Sequence, residues 1–68
     1  MIKTIEGLDF FGVPVTAEVE LQDSMADTWI VSAHFEETGI YLTDLECLDL
    51  RELNRARINA IRKGTKHE

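Results

Sequence analysis

From Val13 to Leu21 the chain reads Val-Pro-Val-Thr-Ala-Glu-Val-Glu-Leu, with an apolar residue at every odd position. A period of two belongs to a strand with one buried face and one wet face. The inward set is Val13, Val15, Ala17, Val19 and Leu21. Pro14 cannot donate to a ladder, so it suits an edge or the start of a strand. This segment commits the chain to a sheet, and the residues around it must supply the partners.

Ile2 to Phe11 is strand-like but less regular. Ile2 and Ile5 differ in parity, which predicts a bulge or bend near Gly7, after which Leu8 and Phe10 point together. Phe11-Gly12 sits where a hairpin turns, with Gly able to take a positive φ. Trp29, Val31, Ala33 and Phe35 share one face of a third strand, and Ile30, Ser32, His34 and Glu36 the other. Glu37-Thr38-Gly39 reads as a turn and Ile40-Tyr41-Leu42 as a short fourth strand. Asp49 is an N-cap candidate with Glu52 three residues on, and Leu48 and Leu53 occupy the staple positions. Gly64 after Arg62 and Lys63 fits a C-terminal stop. The helix so bounded is about 21 Å long. Thr43 and Glu46 form a second box that starts a single helical turn before it. The expected fold is one α+β domain over residues 1–68. It is an antiparallel β-meander of three to four strands (2–11, 13–21, 28–36, 40–42) with one C-terminal α-helix (50–63) packed on one face.

A chain of 68 residues buries a thin core. Cys47 is its sole cysteine, so no disulfide forms within the chain, and one Cys with two His makes a poor zinc site. No metal or other cofactor is expected, and packing or self-association must supply the stability, which favours a homodimer. The hydrophobic share of 44% is ordinary for a globular protein and argues against disorder. No apolar run nears the 18 or so residues needed to cross a bilayer, and the N-terminal residues lack a signal-peptide core. With the unpaired thiol, these features predict a cytoplasmic protein that does not engage membrane.

Charge is split along the chain. Residues 1–50 hold Lys3 and eleven acids, and residues 51–68 hold six basic residues and two acids, for a net −6. Glu18 and Glu20 share the wet face of one strand, Asp23 and Asp27 flank a loop, and Glu36 and Glu37 lie at a turn. Such charges commonly serve solubility and block edge pairing. Read functionally, they form an acidic surface that docks on a basic protein site, or in the extreme mimics nucleic acid. On a helix wheel Arg51, Arg55, Arg62 and Lys66 cluster opposite Leu50, Leu53, Ala56, Ala60 and Ile61. Ile58 falls near the basic stripe. With Ile30 and Tyr41 at outward strand positions it suggests an apolar patch for a partner. Arg57 lies within the apolar arc, where it can run along the sheet edge or pair with an acid.

No catalytic constellation emerges. Ser32 and His34 share a strand face, but no glycine-rich oxyanion loop accompanies them. Cys47 lies between Glu46 and Leu48, a setting that raises a thiol pKa and marks a core residue. Two segments, Gly12 to Leu21 and the LTDL…LRELN stretch within Leu42 to Arg62, together resemble short phage and prophage accessory proteins. The resemblance implies a cytoplasmic protein that acts by binding, modulating a host enzyme or defence system. The expected function is a non-enzymatic binding protein that modulates or occludes a protein partner. The alternative is a nucleic-acid-binding accessory factor using Arg51, Arg55, Arg62, Lys63 and Lys66.

Overall fold

A computed structural model describes residues 1–64, so Lys66 of the expected basic stripe lies outside the described residues. The elements are β1 (Ile2–Phe10), β2 (Val13–Glu20), β3 (Trp29–Phe35), α1 (Asp44–Leu53) and α2 (Arg55–Gly64). The strands form one antiparallel sheet in the order β1-β2-β3, and both helices follow it in the chain. The chain is thus α+β, but it carries two C-terminal helices where one was expected. Ile40–Leu42 is not a fourth strand. It makes an isolated bridge from Tyr41 to His34, held by Phe35 N–H to Ile40 C=O and Leu42 N–H to Ala33 C=O, both 2.9 Å.

The alternation of β2 places Val15, Ala17, Val19 and, just past its end, Leu21 in the core. Val13 lies exposed at the hairpin end. Ile5 faces Ala17 and Leu8 faces Val15, so Glu6 and Gly7 together oppose Thr16 in a bulge. Gly7 takes φ +70°, a left-handed conformation that disfavours other residues. Phe11 and Gly12 both have positive φ, the mark of the tight two-residue turn that matches strand twist.

A second bulge decides what the surface looks like. Ser32 faces Glu18 and Ile30 faces Val19, which leaves Val31 as the extra residue in β3. The parity of the strand flips there. Ala33 and Phe35 point into the core, as expected, but so does Ile30, which packs half-buried against it. Trp29 and Val31 are instead exposed. The expectation of an outward Ile30 is therefore corrected.

The helical region starts six residues before the expected point. Thr43, not Asp49, is the N-cap: its Oγ1 accepts the Glu46 N–H (3.2 Å), and Glu46 Oε1 accepts the Thr43 N–H (2.8 Å). The helical path breaks at Asn54, whose φ of −114° and ψ of 22° lie outside the helical range. The buried positions are then Cys47, Leu50, Asn54 and Ile58, with Ile61 packed beside them. Leu53, Ala56 and Ala60 are exposed. Ile58 is 0% exposed and belongs to the core, so the expectation of an outward Ile58 is corrected too. The Ile58 error comes from drawing the inner face through Leu53, Ala56 and Ala60, whereas the buried stripe includes the polar Asn54 and a Cys47 left outside the expected helix.

Asn54 also caps the outer edge of β1 at Asp9. Its Oδ1 accepts the Asp9 N–H (2.9 Å), and its Nδ2 donates to the C=O of Asp9 and of Leu50 (2.8 Å each). Three residues down the chain, Arg57 donates to the C=O of Gly7 and of Glu6, 2.5 and 2.8 Å away. An amide side chain thus stands in for a neighbouring strand, and a guanidinium caps the carbonyls that the bulge turns outward.

Candidate docking surface

The expected basic stripe is largely committed to holding the fold. Arg51 Nε donates to the Thr28 C=O (2.7 Å), one of its amino groups to the Met25 C=O, and the other to Glu52 (2.6 Å). Arg62 donates to the Asp23 C=O (2.6 Å) and to Asn59 Oδ1. These two arginines tie α1 and α2 to the loop from Gln22 to Thr28. Arg55 makes a long ion pair with Glu52 (3.5 Å) and is exposed, as is Lys63.

The expected acidic residues divide between three places. Glu18, Glu20 and Glu36 lie on the sheet face away from the helices, and Asp23 and Asp27 lie in the loop beyond β2. Glu37 is exposed in the turn after β3. Glu18 accepts from the Ser32 hydroxyl (3.1 Å), and Glu20 binds the N-terminal ammonium and Gln22. Asp27 accepts from the Ser24 hydroxyl (3.2 Å). Glu36 accepts from the Gly7 N–H (2.7 Å) and the Thr16 hydroxyl (2.9 Å), so one carboxylate spans the sheet from β3 to β1. The Gly7 amide first, then Thr16, His34 and Arg57, hold its carboxyl below the ordinary range. Thr4, Thr16, Glu18, Ser32, His34 and Tyr41 line a depression of about 100 Å³ on this face, with the His34 and Tyr41 rings edge to face.

A larger feature lies between α1 and the β3 edge. Trp29, Ile30, Asp44, Cys47, Leu48 and Arg51 line an open groove of about 230 Å³. Trp29 is 58% exposed and Leu48 60%. Leu45, three residues before Leu48 and so on the same outer face of α1, is 76% exposed. Helix α1 therefore carries apolar side chains on both sides: Cys47 and Leu50 inward, Leu45 and Leu48 outward. Of the expected patch Ile30, Tyr41 and Ile58, only Tyr41 is exposed. The exposed apolar residues are others, and the bulge at Val31 and the early cap at Thr43 put them there.

Among the described residues no group of three or more His, Cys, Asp and Glu side chains is placed to hold a metal ion. No described helix is long and apolar enough to cross a membrane. Neither protein-family models, nor curated proteins, nor solved structures match this chain.

Proposed function

We propose that the chain is a non-enzymatic binding protein that docks on a protein partner and occludes or modulates it. The observation that carries this reading is the pair of leucines on the outer face of α1 beside an exposed Trp29. Single exposed apolar residues are ordinary, but two at helical spacing next to a tryptophan-lined groove form a patch that water does not favour. Tryptophan is also a frequent anchor where proteins meet. A host-directed inhibitor, as in the phage accessory proteins the sequence resembles, is one form such a role takes.

A nucleic-acid role is the weaker alternative. Arg51 and Arg62 point their guanidinium groups at loop carbonyls, which leaves Arg55 and Lys63 as the exposed members of that set among the described residues. Two exposed cations on a chain of net charge −6 attract phosphate poorly.

The test is recovery from bacterial lysate on the immobilised protein, with and without nuclease, beside a Trp29→Ser/Leu48→Ser variant. One protein retained near stoichiometrically in both halves, and lost on the variant, is the expected result. Recovery that disappears with nuclease would place the interaction on the basic residues and overturn the proposal.

A further inference from the structure

The depression of about 100 Å³ on the sheet face away from the helices shares no lining residue with the groove. All three strands build it. The register sets Thr4 beside Glu18, Glu18 beside Ser32, and Thr16 beside His34. Residues opposite each other on a ladder share a face, with Cβ atoms about 5 Å apart. Tyr41 closes one side, held by its bridge to His34, with the ring centroids 5.5 Å apart.

Two hydroxyls of the lining already have their protons placed. Ser32 donates to Glu18 (3.1 Å) and Thr16 to Glu36 (2.9 Å). A hydroxyl carries one proton, so each is left with lone pairs only. The second carboxylate oxygen of Glu18 makes no hydrogen bond or ion pair among the described residues, and neither do the Thr4 hydroxyl and the His34 ring nitrogens. Among the described residues no Lys or Arg lines the depression. Lys3, next to Thr4, pairs with Val19 and so takes the other face. Arg57 directs its guanidinium at the carbonyls of Glu6 and Gly7. The depression therefore offers acceptors, a carboxylate and two aromatic rings, and no cation answers them. Its volume lies below the roughly 300–1,000 Å³ of sites that enclose whole small molecules, so it fits an end group.

We propose that this depression binds a cation that carries N–H donors, the guanidinium or primary ammonium end of a ligand. Glu18 takes the charge, the Ser32 and Thr16 oxygens accept further N–H groups, and the His34–Tyr41 pair forms the aromatic wall beside it. The site stands on different residues from the groove, so it is independent of the docking reading.

The experiment is an NMR titration of the full, isotope-labelled chain with N-acetylarginine amide, N-acetyllysine amide and the uncharged N-acetylcitrulline amide. The two cations, at about millimolar concentration, should shift the amides of Thr4, Ser32 and His34, and citrulline should not. Glu18→Gln keeps an acceptor for Ser32 and removes the charge. It should weaken binding about fivefold, the upper end for an exposed ion pair. Tyr41→Ala should weaken it about twofold. Asp49→Asn removes a charge of the same sign from α1, outside the depression, and should change nothing. Unchanged amide spectra of the free variants verify the fold. Equal shifts from citrulline, or equal losses on Asp49→Asn and Glu18→Gln, would overturn the proposal, as would cations that leave the lining amides unmoved. Agmatine and the tripeptide Gly-Arg-Gly then identify the source of the group. Tighter binding of agmatine assigns the site to a free amine, and tighter binding of the tripeptide to a protein side chain. Either order upholds the cation site.

Discussion

The carboxylate of Glu36 accepts from the Gly7 amide and the Thr16 hydroxyl, and both bonds favour its ionised form. A group whose pKa is depressed on folding stabilises the fold above its unfolded pKa, and that contribution is lost as pH falls through the folded value. An NMR titration should place the Glu36 midpoint below the ordinary 4.5, and Glu36→Gln should flatten the acid limb of the stability curve. An unshifted midpoint would show that the bonds to β1 do not persist in solution. Cys47 is shifted the other way: burial pushes its thiol up, and Asp44 and Glu46 add to this. Its stabilising share is complete below the unfolded thiol pKa and is lost as pH rises toward the folded one. Alkylation of Cys47 at neutral pH should be much slower than in urea-unfolded chain. Asn54 is buried with three hydrogen bonds to the main chain. Asn54→Ala leaves the Asp9 amide and two carbonyls without these partners, and urea unfolding should show a loss of about 2–3 kcal/mol.

At the scale of elements, the two candidate caps make opposite predictions. Thr43→Ala removes the capping box that starts α1 and should cost about 1 kcal/mol, whereas Asp49→Ala, in mid-helix on the outer face, should be nearly neutral. The reverse order in thermal melts would restore the shorter helix. The same contrast shows which features were legible before the structure. The β2 pattern was plain because alternation needs only local information, and Gly7 announced the first bulge by its backbone freedom. The bulge in β3 carries no glycine or proline to mark it; it follows from how Val19 and Glu18 meet their partners across the ladder. The break at Asn54 is also silent in sequence, since its stabilising contact, Asp9, lies 45 residues away. Arg57 stood out as a charge in an apolar arc, and its role at the sheet edge explains why. The candidate groove depended on the silent bulge in β3 and on an α1 longer than the single turn expected after Thr43, so it could not be read in advance.

The molecule as a whole rests on few large buried side chains, among them Leu8, Leu21, Leu50 and Ile58. In a domain this small, truncating one removes a large part of the total stability. Ile58→Ala should cost about 2–5 kcal/mol by urea or thermal unfolding. A neutral result would return Ile58 to the surface.

Capping the second half of β1 with residues from the helical region also has a consequence in time. A ribosome delivers the three strands first, and they hold enough sequence to pair before any helix has emerged. Until Asn54 and Arg57 clear the exit tunnel, the nascent sheet is raw along both sides, and crowded translation complexes bring identical edges together. A message truncated before the codon for Asn54 therefore yields a sticky product, with the lock still unwritten.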